Sequence, residues 1–320
     1  MAGAGLRVAI EEHHRPSVPT IMLSDSALGL IRSIFDRPDL FADHPRVARR
    51  MIAWGGPPVI VPHGAVLASE DQVLAALPAI GPMPVAAPVT TPDFTAYAAS
   101  PFPVGDIRIF GDRNAVAAKV RLRDPACAQD VRIEAVADGW LYLVPAQAGE
   151  GWLLSVGGRI DALLSQSALI APGVDAVGAV STPFTAAPRL HLPLYGRDDG
   201  AGEWIGCGTA ALGFDPICGD GTAQSVREAI LASAVIAAIA EGGDRAALLT
   251  HYQSMLIAAM RRHLLLCAQF YASGGQGDWW RAQHDALMDG HRWCTALLAK
   301  LPEPRFVLDG LRLIPRQAAA

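Results

Sequence analysis

Hydrophobic and polar positions change their spacing along the chain, and these changes predict where strands and helices lie. In the first part, residues 6–10 and 57–68 are apolar runs that predict strands, whereas residues 24–35 and 69–77 have helical spacing. The run at residues 6–10 ends abruptly in two glutamates, as a buried parallel strand does where it meets polar chemistry. This alternation is typical of an α/β domain.

Between residues 83 and 199 the pattern becomes short apolar runs separated by Pro, Gly and Asp, which predicts a mostly antiparallel sheet. Residues 138–158 are typical of a hairpin, because alternation sets Trp140 and Tyr142 on one face and two leucines on the other. A brief strand at residues 203–208 then leads into a loop and a long helix. The rest of the chain has the spacing of two or three amphipathic helices.

Composition limits the classes of partner. The chain has 320 residues, of which 51% are hydrophobic and 18% charged, enough to bury a large core. A net charge of −5 and the lack of a Lys/Arg-rich run argue against nucleic acid or a membrane surface and favour a small molecule. The longest apolar run, residues 229–240, is too short to span a bilayer and predicts a core helix. The first residues lack a signal-peptide pattern, so we expect a cytoplasmic location.

A glycine-rich loop lies directly before the long helix, in the stretch GTAALGFDPICGDGT. The first turn of a helix has unpaired amides and a partial positive charge, so such a loop admits an anionic or carbonyl-rich ligand. Gly219 and Gly221 allow this close approach. Asp215 and Pro216 fix a turn, and Thr222 is the predicted N-cap.

The strand, loop and helix resemble the second flavin motif of FAD-dependent monooxygenases of the para-hydroxybenzoate hydroxylase and tryptophan-halogenase type, which is approximately G-D-A-A-x-x-x-x-P-x-x-G-x-G. The matching positions are Gly208, Ala210, Ala211, Asp215, Pro216, Gly219 and Gly221. Thr209 occupies the position of a family aspartate that binds the ribityl or pyrophosphate part of FAD. Its hydroxyl can still donate or accept a hydrogen bond.

Residues 4–16 resemble the second strand of the same fold, whose terminal acid holds the adenosine ribose. The resemblance assigns this role to Glu12, with Glu11 as the alternative register. In the family, a first strand and a G-x-G-x-x-G loop come about 20 residues earlier, whereas this sequence has four residues before Gly5. Either the chain starts further upstream, or it is a truncated relative that holds FAD weakly. The backbone and apolar surface that a missing central strand would expose favour the upstream start.

The resemblance implies an α/β fold in which a Rossmann-like FAD-binding domain, without its first strand, is interleaved with an antiparallel substrate-domain sheet. Residues 1–82 and 200–245 would form the FAD-binding part and residues 83–199 the sheet. Residues 246–320 would form a C-terminal helical region.

The implied function is that of an FAD-dependent oxidoreductase, in particular a monooxygenase acting on a small or aromatic substrate. NAD(P)H or a separate flavin reductase would supply electrons. Amides near Gly221 and Thr222 would stabilise negative charge at N1 and O2 of the reduced ring. The sequence identifies no catalytic acid or base. Two alternatives remain: a flavoprotein that modifies an aromatic residue of a partner protein, and a truncated, non-catalytic remnant.

Other groups of residues give weaker indications of function. Halogenation is not favoured, because the W-x-W-x-I-P motif and the catalytic lysine of tryptophan halogenases are missing; Lys119 and Lys300 are the only lysines. The histidines and cysteines show no H-x-x-x-H, H-E-x-x-H or C-x-x-C spacing, so no metal site is predicted. Cys218, inside the loop, is either a small core residue or a reactive thiol.

Aromatic and histidine side chains concentrate near the C-terminus at Trp279, Trp280, His284, His291 and Trp293. They could line a pocket for an aromatic or indole substrate. Helical spacing offers a structural explanation instead, since Trp280 and His284 fall on one face of a helix.

Overall fold

The computed structural model describes residues 5–11, 17–77, 92–99, 105–124, 129–146, 149–198, 202–219 and 221–316. The helices are α1 (Asp25–Phe35), α2 (Glu70–Ala76), α3 (Ile160–Leu164), α4 (Gly208–Ala211), α5 (Gly221–Ala240), α6 (Arg245–Gly274) and α7 (Asp278–Leu298). The strands are β1 (Ile21–Ser24), β2 (Arg46–Ala53), β3 (Val59–Ala68), β4 (Phe94–Tyr97), β5 (Asp106–Ile109), β6 (Asn114–Leu122), β7 (Asp130–Val136), β8 (Gly139–Pro145), β9 (Glu150–Val156), β10 (Val174–Val180), β11 (Phe184–Thr185), β12 (Arg189–Leu192), β13 (Tyr195–Asp198), β14 (Gly202–Gly206), β15 (Leu212–Gly213), β16 (Phe306–Asp309) and β17 (Arg312–Pro315). The predicted mixed α/β class with C-terminal helices is confirmed.

The largest sheet has nine strands, in the order β1-β3-β2-β7-β8-β9-β6-β10, with β11 also paired to β6. Its neighbours are antiparallel except β2 and β7, which run parallel with Arg49 opposite Asp130. Because β1, β2 and β3 belong to it, this sheet extends to the N-terminal side of residue 83. Residues 57–68, expected in an α/β layer, instead pair with β2 as a hairpin. Gly55, whose φ is +66°, allows the tight connection that brings these two strands together.

Alternation along β8 separates two hydrophobic cores, as predicted. Trp140 and Tyr142 face the main core beneath α5, α6 and α7. Leu141 and Leu143 pack in a second core with residues of β6, β9 and α3. The sheet is therefore covered on both faces at this point, which explains why Trp140 and Leu141 are both fully buried.

A small sheet joins distant parts of the chain. β14 pairs in parallel with β4 and antiparallel with β13. β4 lies within residues 83–199, which were expected to form a mostly antiparallel sheet, but it pairs in parallel with β14. Short strands carry no signal for the direction of their partner, and the partner here lies about a hundred residues away.

Residues 5–11 form no strand, so the strand predicted at residues 6–10 was wrong. Leu6 packs against the main core, but Ile10 is 66% exposed. A strand requires a neighbour that takes its backbone hydrogen bonds, and none of the described strands pairs with this segment.

Two predicted helix starts are confirmed. Ser24 Oγ accepts a hydrogen bond from the Ala27 amide at 3.2 Å at the start of α1. Ser69 and Gln72 form a capping box at the start of α2.

The long helices α5, α6 and α7 cover the main core. Of the described helices, α5 alone has the length and apolar composition needed to cross a membrane. Its Leu231, Val235 and Ile236 are buried in the core, and the helix packs against α1 and α6. Its apolar side chains therefore have protein partners, as expected of a core helix.

Candidate functional site

The carboxyl ends of β4 and β14 meet where the glycine-rich loop begins. The Cys207 amide donates to the Tyr97 carbonyl at 2.8 Å, and the Ala210 amide donates to the Ala98 carbonyl at 3.3 Å. Gly208 has a φ of +56°, and a Cβ there would lie 3.2 Å from the Ala98 oxygen. The first glycine of the motif is thus required by backbone conformation and by close approach.

Thr209 is exposed at this junction. Its hydroxyl donates to the Ala98 carbonyl at 3.3 Å. The position that carries an aspartate in the flavin motif is therefore at the surface, beside the end of a parallel strand, where α/β sheets bind ligands.

The Asp215 carboxylate is fully buried and anchors the loop. One oxygen accepts from the Ile217 amide at 3.0 Å and caps the short 3₁₀ turn Pro216–Cys218. The other accepts from the Tyr271 hydroxyl at 3.0 Å and lies 2.9 Å from Nε of Arg113, whose side chain is also fully buried. Asp215, predicted to contact the cofactor, thus uses its carboxylate to hold the loop in place.

Arg113 is held on several sides. Its guanidinium donates to Gln283 Oε1 at 2.9 Å and to the Phe110 carbonyl at 3.1 Å. It also lies 4.8 Å from the centre of the Tyr271 ring. The Trp140 indole donates a hydrogen bond to the Tyr271 hydroxyl oxygen at 3.0 Å. Burial raises the pKa of Tyr271 well above its usual value, so its hydroxyl stays protonated and can donate to Asp215. This network fixes the loop to the residue before β6, to α6 and to α7.

The start of α5 is open. The helix begins at Gly221, so Thr222 lies in its first turn and the prediction of Thr222 as the N-cap was wrong. A Cβ built on Gly221 meets no atom of the described residues within 4 Å. The side of the first turn on which this Cβ would lie is therefore open among the described residues.

Gly219 faces a group of side chains from the large sheet, which we call the Arg50 wall: Met22, Arg50, His63 and Tyr142. A Cβ built on Gly219 would lie 3.6 Å from Arg50 Nη2, 3.7 Å from Met22 Cε and 4.0 Å from Tyr142 Oη. Gly219 has a φ of +63°, so the turn toward the wall favours glycine. Loop and sheet thus face each other across a narrow gap.

The wall carries one positive charge at neutral pH. Arg50 Nη2 lies 3.1 Å from His63 Nε2, and its Nε is buried without a hydrogen-bond partner among the described residues. Burial, and then the charge of Arg50, lower the pKa of His63, so the imidazole is neutral. Burial raises the pKa of Tyr142, so this residue keeps its proton.

Glu228 of α5 lies beneath the start of the loop and is 3% exposed. Gln224 donates to its Oε1 at 3.0 Å, while Oε2 is buried without a hydrogen-bond partner in the described part of the chain. Burial raises the pKa of this carboxyl to about 7, although hydrogen bonds from Gln224 and from the Gly208 amide oppose the shift.

A cysteine–histidine cluster adjoins the loop and was not found from the sequence. Cys218 Sγ lies 3.8 Å from Cys267 Sγ, which in turn lies 3.3 Å from His263 Nε2. The imidazole stacks on Phe214 and accepts from the Asp215 amide at 2.8 Å. His263 and Cys267 are one turn apart on α6, so H-x-x-x-C spacing was the available signal.

The remaining predicted residues lie elsewhere. Glu12 lies outside the described residues, and Glu11 is exposed in the segment that forms no strand. Trp280 is 1% exposed and donates to the Val136 carbonyl, so its role is structural. Trp293 lies under the Arg108 guanidinium and packs at the edge of the main core.

No protein-family model and no curated protein sequence matches the chain. Solved structures match it in fold. One is QhpG, described as a peptidyl tryptophan dihydroxylase essential for tryptophylquinone cofactor biogenesis, with a TM-score of 0.66 and 17% identity over 94% of this chain and 79% of that chain. Another is the flavin-dependent halogenase CmlS, with a TM-score of 0.65 and 16% identity over 92% of this chain and 66% of that chain.

A third is pqsL, a probable FAD-dependent monooxygenase from Pseudomonas aeruginosa, with a TM-score of 0.53 and 14% identity over 92% of this chain and 93% of that chain. The chain has the fold of FAD-dependent halogenases and monooxygenases. The flavin-monooxygenase fold that the loop motif implied is thereby confirmed.

The groups around the loop are of a kind that could hold the carbonyl or anionic edge of a cofactor such as a flavin. The amides of the first turn of α5 are hydrogen-bond donors for a carbonyl or an anionic group. The open space at Gly221 leaves room for such a group. The buried, unpartnered Nε of Arg50 offers a further donor across the gap.

Proposed function

We propose that the chain is an FAD-dependent oxidoreductase of the monooxygenase type. In this proposal the flavin ring lies against the first turn of α5, and the substrate lies between the loop and the Arg50 wall. The observation that carries it is the open helix start at Gly221, next to a wall with an unpartnered arginine nitrogen, in a fold shared with FAD-dependent enzymes.

FAD, when bound, supplies the redox chemistry and the reaction with dioxygen. The chain's part is to bind and orient. The amides of Gly221 and Thr222 donate toward negative charge at the ring edge, and the buried pair of Arg113 and Asp215 keeps these amides in position. NAD(P)H or a separate reductase is the proposed source of electrons.

Arg50 is the proposed substrate-binding residue. Its Nε can donate to a carboxylate or another acceptor on an aromatic substrate, because no described residue takes that hydrogen bond. The neutral imidazole of His63 and the protonated Tyr142 leave Arg50 as the wall's single charge. An acidic aromatic molecule therefore fits the wall better than a cationic one.

Substituting Gly221 by leucine tests the flavin proposal. The leucine side chain would enter space that no described residue occupies, so the fold should tolerate it. It would, however, occupy the place proposed for the flavin ring. We expect the affinity for FAD to fall at least about tenfold, or about 1.4 kcal/mol. Titration with FAD, followed by flavin fluorescence, measures this, and a urea melt checks stability.

Gly29→Leu is the matched control, since Gly29 is also an exposed helical glycine whose Cβ would have no described atom within 4 Å. It should leave the affinity for FAD unchanged. A parent chain that binds no FAD would support the non-catalytic remnant. Equal FAD binding by Gly221→Leu and the parent would exclude the proposed ring position.

Substituting Arg50 by methionine tests the substrate proposal. A hydrogen bond to a charged group contributes about 1.5–3 kcal/mol, so binding of 4-hydroxybenzoate as a probe should weaken roughly tenfold to a hundredfold. The change in the flavin absorption spectrum on adding the probe measures it. Arg49→Met is the control, because Arg49 on the same strand pairs with Asp130. Similar losses in both variants would refute a specific role for Arg50.

A protein substrate is the second candidate. Val59, Ile60 and Val61 of β3 are 52%, 58% and 37% exposed, and β1 pairs only with Ala65–Ala68 of that strand. Among the described residues this leaves an exposed apolar strand edge close to His63, to which an extended peptide could add. Replacing the three residues by threonine should reduce activity on a peptidyl substrate and leave the binding of a small aromatic probe unchanged.

A further inference from the structure

The thiols of Cys218 and Cys267 are close enough to bond after a small movement. Their sulfurs are 3.8 Å apart, and a disulfide needs about 2.05 Å. Cys267 is fully buried within the long helix α6, whereas Cys218 is partly exposed in the loop. Cys218 ends a single 3₁₀ turn, whereas Cys267 lies inside a helix of 30 residues, so the movement would fall on Cys218.

Cys218 has the surroundings of a reactive thiol. The Cys267 thiol hydrogen-bonds to it and, with His263, lowers its pKa to about 6, against the opposing effect of burial. It lies three residues before the start of α5, whose positive end favours an anion. Burial raises the pKa of Cys267 well above its usual value. The pair therefore combines an accessible thiolate with a protonated, buried partner.

The same cluster offers three atoms that could ligate a metal, within 4.8 Å of one another. Two observations argue against that use. His263 Nε2, the nitrogen nearer to Cys267, already accepts the Asp215 amide at 2.8 Å. The neighbouring carboxylate of Asp215 is paired with Arg113, so it is not available as a fourth ligand.

We propose that Cys218 and Cys267 form a reversible redox pair that hydrogen peroxide oxidises to a disulfide. The Cys218 thiolate attacks one peroxide oxygen, an S–O bond forms, the O–O bond breaks and hydroxide leaves as water after taking a proton. Cys267 then attacks the Cys218 sulfur, the S–S bond forms and the sulfenic oxygen leaves as water with the Cys267 proton. The two thiols are oxidised by two electrons, and a dithiol reductant reverses the reaction.

The test uses the full chain, reduced, desalted and then treated with a small excess of hydrogen peroxide. After denaturation and alkylation, intact mass should show that the five thiols of the reduced chain have become three. Peptide mapping should find Cys218 joined to Cys267, and dithiothreitol should restore all five. Five unreacted thiols, a bridge between other cysteines, or a sulfinic acid at Cys218 without a bridge would each overturn the proposal.

Three variants test which cysteines form the disulfide. Cys218→Ser should abolish the bridge, and Cys267→Ala should leave a sulfenic acid on Cys218 that dimedone traps. Cys294→Ser is the matched control, because this buried thiol of α7 has a pKa raised to about 11 and should not take part. Mapping of the parent chain decides the question if Cys267→Ala does not fold. Stoichiometric zinc that blocks oxidation until a chelator removes it would indicate a metal site instead.

Discussion

Replacing Arg113 by methionine should lower the free energy of unfolding by about 3–5 kcal/mol, because it leaves the Asp215 carboxylate buried without its counter-charge. Both side chains are fully buried. The guanidinium also donates hydrogen bonds to Gln283 Oε1 and to the Phe110 carbonyl. Urea unfolding followed by tryptophan fluorescence measures the change. Adding Asp215→Asn to this variant should recover part of the loss, since the second change removes the unpaired charge.

Glu150→Gln is the matched control for the buried pair. Glu150 pairs with Lys119 at 2.6 Å, but the two side chains are 43% and 52% exposed. Exposed pairs contribute about 1 kcal/mol or less, so this variant should unfold almost like the parent. If Arg113→Met lowers the free energy of unfolding by no more than the control does, the idea that the ion pair anchors the loop is contradicted.

Glu228→Gln should make the chain more stable at pH 8 but not at pH 4. The pKa of the carboxyl is about 7 in the folded chain and 4.5 in the reference state. Between these values the unfolded chain loses the proton while the folded chain keeps it, so stability falls as the pH rises through this window. The shift corresponds to about 3 kcal/mol. Glutamine cannot ionise, so the variant does not lose this stability as the pH rises.

Urea unfolding of the parent and of Glu228→Gln at pH 4, 6 and 8 measures the effect, because the other titrating groups are common to both chains. The difference in unfolding free energy should be small at pH 4 and grow to about 3 kcal/mol at pH 8. Gln224 can still donate to the amide oxygen of the new side chain. A difference that does not change with pH would show that Glu228 is not protonated in the folded chain at neutral pH.

Local patterns predicted the parts of the fold that depend on neighbouring residues. The helix starts near Ser24 and Ser69 were predictable, because a cap and its partner amide lie within three residues. The two faces of β8 followed from alternation, since a strand directs successive side chains to opposite sides. The loop before α5 was recognisable from its glycines.

Features that join distant segments were not predictable in this way. Nothing beside Arg113 in the sequence marks it as the partner of Asp215, about a hundred positions away. The Arg50 wall combines four strands of the large sheet, whose order no local pattern specifies. The segment at residues 6–10 shows the converse, since its apolar residues suit a strand for which the described chain provides no partner.

The parallel pairing of β2 with β7 bears on how the chain is made. One edge of β2 pairs with β3, which follows it closely in the sequence. The other edge pairs with β7, which is complete only when the chain has been synthesised to Val136. During synthesis, a nascent chain that has emerged only as far as residue 77 would present that second edge open for pairing with another polypeptide. A chain terminated between residue 77 and residue 130 should therefore aggregate instead of folding into a stable smaller domain.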